Sequence, residues 1–500
     1  MGSGKKIVNG VVWTILLNVV NAVYGFISVP ILINYFGKTE YGLIGLAMSI
    51  NVYLRLLDMG FTSTNVRFFS TWIAEKKKDK VQKAFQSSLG FYGFIGLLNA
   101  VVLFILALFS DSVFNVTADQ DAILKNLIYV LCFTAFFSWL MSCLEQLVKA
   151  TENVAWVQRV YLFAKLLLIV VLFITVYGRL SIEVYFILSC LATLTVIPFC
   201  IGKIRVEVAY VSFLPRIDWP VFKEMLPYSL NIFSFSLFQF TFYNLRPVFL
   251  GMEGTVESVT DYRILNGIVG LVHMMSSAFL GTLLPSTSRV VAEHNKEVYY
   301  KVAYTGTKYV TIVVSFFCFC LMAVGPDLLT IYVGKEYLYL IPWLNMWLLC
   351  MLGNHNQAIS SLILAGTDIR AISYSSVVAS VAGLLVTWFT IPIYQIGGTV
   401  IGFIVYMTVQ MVFYYFYYWP RKMGISSLNV FFKSFLPFIM IGIGCYSLVQ
   451  CLPSIGNVWC NIIVRLGFFS VLYATIVWLI FEKKDRKFFL TMVSSKFAKK

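Results

Sequence analysis

Two charged residues lie in a place where charge is costly. Arg55 and Asp58 are three positions apart near the middle of an apolar run from Tyr41 to Ile73, which is long enough to cross a bilayer. An ionisable group at a bilayer centre costs at least about 2.5–3.5 kcal/mol, so both side chains must face protein or a wet cavity. A guanidinium binds phosphate oxygens in pairs, whereas the i, i+3 spacing also lets the aspartate simply neutralise the arginine. A ligand site and an internal ion pair are therefore both open.

Three amides lie at comparable depth in other apolar runs. Asn18 and Asn21, also three positions apart, are in the first run, and Gln239 is in a later one. Such amides could line a polar cavity with Arg55, or they could hold helices together through hydrogen bonds.

Two further arginines and a histidine complete the candidate binding residues. Arg246 precedes the helix-disturbing Pro247, and Arg263 begins the next apolar run, where it could instead extend to the membrane surface. If Arg55, Arg246 and Arg263 converge, they form a cationic cavity suited to phosphate. His355 is either a group that titrates in a functional cycle or a hydrogen-bonded structural histidine.

The amino-acid composition distinguishes a membrane protein from a soluble one. Hydrophobic residues make up 59% of the chain, charged residues only 12%, and the mean hydropathy is +0.82. Soluble domains are about 45–50% apolar and about 25% charged. Because many apolar runs reach about 20 residues, they predict transmembrane helices rather than the shorter, alternating strands of a barrel. The chain is thus predicted to be an all-α integral membrane protein with about fourteen transmembrane helices.

The predicted spans are centred near residues 22, 57, 98, 136, 167, 193, 238, 276, 315, 352, 382, 409, 443 and 470. The ten cysteines lie almost entirely inside these spans, where they act as small apolar residues, and no pair has the partners of a zinc site. No catalytic residue, metal site or cofactor is predicted.

Charge alternates between the connections and predicts the orientation. About 29 of the 38 Lys and Arg residues fall on the side of the N-terminus, so the positive-inside rule places both termini in the cytoplasm. The net charge of +15 follows from this topology and from attraction to anionic lipids, and it does not indicate nucleic-acid binding.

The chain also repeats weakly after about 215–220 residues, as parallel repeats in transporters do. Ala74-Glu75 after the second span has a counterpart in Ala292-Glu293 after the eighth. The repeat predicts two six-helix lobes around a central cavity. Residues 1–202 form the first lobe, 203–225 a basic cytoplasmic linker and 226–420 the second lobe. Residues 421–500 are then two appended helices and a basic cytoplasmic tail.

Short motifs give the chain a family resemblance. The segment Leu56-Leu-Asp-Met-Gly-Phe61 followed by Arg67, preceded by Tyr35-Phe-Gly-Lys-Thr-Glu-Tyr-Gly42, resembles Wzx-type O-antigen and polysaccharide flippases of the MOP superfamily, relatives of MATE exporters. Tyr332-Val-Gly-Lys-Glu-Tyr337 is a further match. The resemblance covers most of the chain.

The resemblance implies translocation of an undecaprenyl-diphosphate-linked oligosaccharide from the cytoplasmic to the periplasmic leaflet of a bacterial inner membrane. It implies a cationic cavity, with Arg55 as the first candidate for diphosphate contact and Asp58, Arg246 and Arg263 beside it. Membrane lipids are expected partners, as are a polysaccharide polymerase and chain-length proteins. Coupling to Na⁺ or H⁺ is compatible with this function and is not required for it.

Two other functions compete with this hypothesis. A MATE-like, cation-coupled drug or metabolite exporter should offer buried carboxylates, yet the spans contain more arginine than acid, which favours an anionic substrate. A membrane glycosyltransferase or polymerase would need a large outer loop bearing acids or histidines, whereas the longest outer connection has only about a dozen residues. The chain is therefore predicted not to be an enzyme.

Overall fold

The computed structural model describes residues 3–293, 296–365, 370–454, 456–481 and 486. Within these ranges the chain is helical almost throughout and has no strand, which confirms the predicted all-α class. The α-helices are α1 (Ser3–Phe36), α2 (Lys38–Leu54), α3 (Phe61–Ala74), α4 (Lys78–Leu108), α5 (Ser110–Val113), α6 (Ala118–Ala150), α7 (Val154–Gly178), α8 (Ile182–Leu194), α9 (Val196–Glu207), α10 (Trp219–Glu253), α11 (Val256–Ala292), α12 (Lys296–Lys301), α13 (Thr307–Tyr332), α14 (Ile341–Met351), α15 (Gln357–Ala365), α16 (Arg370–Tyr394), α17 (Ile396–Phe413), α18 (Ser427–Asn429), α19 (Leu436–Gln450) and α20 (Val458–Ile480).

Six shorter helical segments of other types interrupt or extend these helices. Arg55–Asp58, Lys335–Leu340 and Leu352–Asn356 are 3₁₀-helical, and Val302–Gly306, Tyr414–Met423 and Val430–Phe435 are π-helical. Such segments are frequent at hinges and functional sites.

Eleven helices among the described residues are long and apolar enough to cross a membrane, and α2 and α3 make a twelfth span if the bent pair is counted as one. The predicted seventh span corresponds to α10, which contains Pro227, Pro247 and Arg246. The predicted tenth span corresponds to α14 and α15, which the Leu352–Asn356 turn separates. A multi-span helical membrane protein is thus confirmed, and the total of fourteen spans stays a prediction.

Contacts divide the chain into two compact units, Met1–Ile264 with Ser380–Thr399, and Leu265–Ala379 with Val400–Lys500. The first unit includes α10 and the start of α11, which the sequence repeat assigns to the second lobe. The lobe boundaries at residues 202 and 226 therefore stay a prediction, and the predicted basic tail lies outside the described residues except for Arg486.

In the first unit, α2 packs closely against the end of α10 and the start of α11. Lys38 Nζ lies 2.8 Å from the Asp261 carboxylate, and the Thr260 hydroxyl donates to the Lys38 carbonyl at 2.6 Å. A side chain at Gly42 or Gly251 would collide with the facing helix, so glycine is needed there for the close approach.

In the second unit, α13 lies at the centre and packs against α19 and α20. The Ser315 and Tyr473 hydroxyls are 2.6 Å apart, and Arg465 Nη1 lies 3.2 Å from the Asp327 carboxylate. These contacts attach α20, one of the two helices predicted as appended, to the body of this unit.

Candidate functional site

The second predicted span is broken where its charged residues lie. α2 ends at Leu54, residues Arg55–Asp58 form a 3₁₀ turn, and α3 begins at Phe61 after a bend of 47°. Met59 and Gly60 both have left-handed backbones, with φ of 49° and 79°. Glycine adopts this conformation without strain, and a Cβ at Gly60 would also lie 2.7 Å from the Ser229 carbonyl oxygen of α10. The Leu-Asp-x-Gly motif therefore encodes a helix break.

Asp58 holds the break by bonding to the start of α3 and to α4. Its carboxylate accepts hydrogen bonds from the Thr62 N–H at 3.0 Å, the Thr62 hydroxyl at 2.9 Å and the Tyr92 hydroxyl at 2.6 Å. The bond from Thr62 N–H satisfies a backbone donor that a helix start leaves unpaired.

The network continues inward through α6. The Gln146 amide donates to the Thr62 hydroxyl at 3.1 Å and accepts from the Asn65 amide at 2.6 Å, and Ser88 donates to Asn65 at 2.8 Å. Asn65, Ser88 and Gln146 are all buried. A buried network in which every member is bonded fixes one arrangement of the three helices.

Arg55 has different surroundings from Asp58. No ion pair joins the two residues in the described part of the chain, so the aspartate does not neutralise the arginine as the spacing allowed. Arg55 is exposed and lines a small pocket of about 10 Å³ together with Asn51, Asn99 and Ser142, a volume that suits about one water. Asn99 Oδ1 is buried and has no hydrogen-bond partner among the described residues. The arrangement presents an unpaired guanidinium beside polar acceptors.

The sequence analysis missed most of the residues that surround this arginine. Thr134, Ser138, Ser142 and Gln146 repeat every four residues along α6, so they form one polar stripe that begins in the apolar middle of this helix. That spacing was a usable signal. Asn99 lies at the centre of the predicted third span, so it carried the same signal as Asn18 but was not among the predicted residues.

Arg246 and Arg263 occupy other places in the first unit. Arg246 is 1% exposed, and its guanidinium lies 4.9 Å from the centre of the Phe242 ring and 5.5 Å from that of Tyr262. The Arg263 guanidinium lies 4.4 Å from the centre of the Tyr41 ring. Both therefore have aromatic neighbours, which attract a cation through the ring face. Arg246 is closed off from solvent in this conformation.

The predicted amides are exposed. Asn18 and Asn21 on α1 and Gln239 on α10 have exposed side chains, and no hydrogen bond joins any of them to another described residue. They do not hold helices together through hydrogen bonds to other described residues in this conformation, and the polar cavity stays a prediction.

His355 lies in the second unit, within the Leu352–Asn356 turn. Its Nδ1 is 3.0 Å from the Leu352 carbonyl oxygen and its Nε2 is 2.7 Å from the Tyr415 hydroxyl. Because the carbonyl can only accept, Nδ1 carries the proton and Tyr415 donates to Nε2. The residue is 2% exposed and both ring nitrogens are bonded, which favours the structural histidine over the titrating one.

Comparison with known families decides the family of the chain. A model described as polysaccharide biosynthesis protein matches residues 7–291, more than half of the chain. The chain belongs to the polysaccharide biosynthesis protein family. The match covers the span-two break with Arg55 and Asp58, and it confirms the family resemblance of the motifs. No curated protein sequence matches the chain.

Solved structures show the fold of this polysaccharide biosynthesis protein. The lipid II flippase MurJ in an inward closed conformation is similar with a TM-score of 0.74 at 12% identity, over 93% of this chain and 98% of that one. An inward-facing multidrug resistance MATE family transporter of the MOP superfamily has a TM-score of 0.58 at 14% identity, over 86% and 96%. A MOP superfamily transporter from Pyrococcus furiosus has 0.52 at 15%, over 90% and 98%. The chain has the MurJ- and MATE-like transporter fold.

Proposed function

We propose that this protein is a flippase that moves an undecaprenyl-diphosphate-linked oligosaccharide from the cytoplasmic to the periplasmic leaflet of a bacterial inner membrane. The observation that supports this most is the exposed guanidinium of Arg55, which has no acidic partner among the described residues and is held at a break inside a span. The family adds polysaccharide biosynthesis, and the fold is one that transporters use.

Arg55 is proposed to bind the diphosphate of the substrate. A guanidinium at a helix break can donate paired hydrogen bonds to phosphate oxygens, which a lysine ammonium cannot match in geometry. Asp58 is a positioning residue in this proposal, since its carboxylate is used by Thr62 and Tyr92. Asn18, Asn21 and Gln239 are proposed to contact the sugars, whose hydroxyls suit amide partners.

Arg246 and Arg263 are proposed as later contacts. Their places beside Tyr262 and Tyr41 are close to where α10 and α11 meet α2. Alternating access would have to break the Lys38–Asp261 pair and the contacts around it, because they join α2 to α11 at what the charge pattern predicts is the outer side. Opening there would expose both arginines to the departing headgroup.

The membrane potential can supply the driving force. Two negative charges that move outward across an inside-negative membrane each gain about 2.3 kcal/mol per 100 mV. Coupling to Na⁺ or H⁺ is therefore not needed, and a polymerase with chain-length proteins would consume the product on the outer side.

A MATE-like cation-coupled exporter is the second candidate, and the carboxylates argue against it. Asp58 accepts from Thr62 and Tyr92, and Glu145 accepts from Lys149 and from the Tyr161 hydroxyl at 2.5 Å. Among the described residues, no group of three His, Cys, Asp or Glu could hold a metal ion. These acids are thus committed to protein partners.

The test is to delete the gene and assign lipid-linked sugars to each leaflet. A flippase predicts an undecaprenyl-linked repeat unit that accumulates on the cytoplasmic leaflet. Normal lipid intermediates together with altered drug sensitivity would instead support the exporter.

Variants of Arg55 then test the site in the same strain. Arg55→Ala is expected to abolish export while the protein still inserts and accumulates. Arg205→Ala, which removes an exposed arginine at the end of α9, is the matched control and should complement fully. Rescue by Arg55→Lys would show that charge matters more than paired geometry, and unchanged export with Arg55→Ala would exclude the site.

A further inference from the structure

A wide apolar groove opens on the surface of the second unit. Its walls come from α14, from α17 and from the π-helical segments Tyr414–Met423 and Val430–Phe435, and its volume is about 620 Å³. Phe416 is 77% exposed, Leu428 69% and Phe432 57%. Exposed apolar side chains are ordinary in membrane spans, so the distinguishing feature of this site is its concave shape.

Three of the polar side chains in the groove wall, those of His355, Tyr415 and Ser427, already have partners. His355 Nδ1 donates to the Leu352 carbonyl at 3.0 Å, the Tyr415 hydroxyl donates to His355 Nε2 at 2.7 Å, and the Ser427 hydroxyl donates to the Tyr415 carbonyl at 2.5 Å. Little in the wall is left to bind water. A hydrocarbon chain is therefore a better occupant than water or a sugar.

The same helical segments carry unpaired positive charge. Arg421 and Lys422 follow Phe416 in one π-helical segment, and Lys433 follows Phe432 in the other. All three are exposed, and none has an acidic partner among the described residues. Residues 414–435 contain no Asp or Glu. An apolar groove with three cations on the helical segments that form its walls is complementary to a molecule with an acyl chain and an anionic headgroup.

We propose that this groove binds an anionic phospholipid. One acyl chain lies in the groove, and the headgroup phosphate meets Arg421, Lys422 and Lys433. A groove of about 620 Å³ has room for an acyl chain. Basic pockets between spans bind lipid headgroups in this way, and the charge pattern predicts the cytoplasmic leaflet for it.

The experiment measures lipid retained by the purified full chain. Palmitoyl-oleoyl phosphatidylglycerol and palmitoyl-oleoyl phosphatidylcholine are titrated into detergent-solubilised protein, and bound lipid is counted by native mass spectrometry. We expect phosphatidylglycerol to bind more tightly, by about fivefold for each basic residue that contacts it. The triple variant Arg421→Gln, Lys422→Gln, Lys433→Gln should bind the two lipids equally.

Matched variants separate this site from general surface charge. Arg205→Gln, Arg216→Gln, Lys223→Gln removes three exposed basic residues from the first unit and should keep the preference. Leu428→Gln with Phe432→Gln, both at exposed positions, should weaken both lipids alike because the chain contact is lost.

Three results would overturn the proposal. Equal retention of both lipids by the unaltered protein would mean ordinary boundary lipid. Loss of the preference in the first-unit variant would mean a general charge effect. Displacement of phosphatidylglycerol by an equal concentration of undecaprenyl phosphate would make the groove a tail site for the transported lipid.

Discussion

Replacing Asp58 with asparagine tests whether the carboxylate holds the break in the second span. The three hydrogen bonds that it accepts, two from Thr62 and one from Tyr92, all go to an ionised acceptor. Asparagine keeps one oxygen and places an amide nitrogen where the other oxygen was. At most two of the three bonds can persist, and none of them is assisted by charge.

The geometry sets the size of the effect. A hydrogen bond to a charged group contributes about 1.5–3 kcal/mol and a neutral one about 0.5–1.5, so each bond loses about 1 kcal/mol. The Tyr92 bond is in the protein interior and counts in full, whereas Thr62 is exposed and solvent weakens its two bonds by about half. We expect Asp58→Asn to lower the free energy of unfolding by about 2 kcal/mol.

Reversible unfolding in mixed detergent micelles measures this loss. The thiols of Cys143 and Cys200 are at most 1% exposed, so their reaction with a thiol reagent reports unfolding of the first unit. Asp119→Asn, at an exposed carboxylate in the first turn of α6, is the matched control and should change stability by less than about 0.5 kcal/mol.

A double-mutant cycle with Tyr92→Phe identifies the bond itself. We expect a coupling energy of about 1 kcal/mol between Asp58→Asn and Tyr92→Phe, since each variant removes the same interaction. Equal stability of Asp58→Asn and the Asp119 control would refute the role of the carboxylate. Strict additivity in the cycle would refute the Tyr92 bond. In the export assay Asp58→Asn should reduce but not abolish activity, because Arg55 is still present.

Two further predictions concern the packing around this site. Gly60→Ala should destabilise the protein by about 1–2 kcal/mol from the left-handed backbone alone, whereas Gly93→Ala, with open space around it, should not; equal unfolding curves would contradict this. Lys38→Met should cost about 2 kcal/mol because it removes a cation 2.8 Å from the Asp261 carboxylate, whose side chain is 6% exposed. Lys6→Met removes only an exposed pair and should cost less than about 1 kcal/mol. A similar loss of stability in both variants would show that the Lys38–Asp261 pair contributes no more than an exposed pair.

Much of the architecture was predictable from the sequence because the membrane leaves few alternatives. Backbone groups in hydrocarbon must be bonded within one segment, so an apolar run of about 20 residues becomes a helix whatever its neighbours are. The spans that are harder to predict from hydropathy are those that contain charged residues, prolines or a break in the helix. α10 contains Arg246 and three prolines, two of them in the helix interior, and the Leu352–Asn356 turn divides the tenth span.

The candidate site was predicted less completely. The charge of Arg55 in an apolar run was visible, and so was the polar stripe Thr134, Ser138, Ser142 on α6, although the stripe was overlooked. The burial of Arg246 against the Tyr262 ring was not visible, because Tyr262 comes from a different helix, whereas Phe242 lies four residues earlier on the same helix. An arginine in a predicted span indicates a desolvation cost, but the sequence does not show which neighbouring residues offset that cost.

By itself, the sequence determined that this is a helical membrane protein of the polysaccharide biosynthesis family with a charged pair in its second span. Only the tertiary structure decided what that pair does. On one helix, Asp58 could have formed an ion pair with Arg55 three positions away. Instead its carboxylate accepts a hydrogen bond from Tyr92 of α4, and Gln146 of α6 extends the same hydrogen-bond network, which Arg55 alone could not provide. Once the carboxylate is bonded there, the guanidinium is left without an acidic partner among the described residues. The choice depends on packing against Tyr92, 34 positions away in the chain, rather than on local spacing.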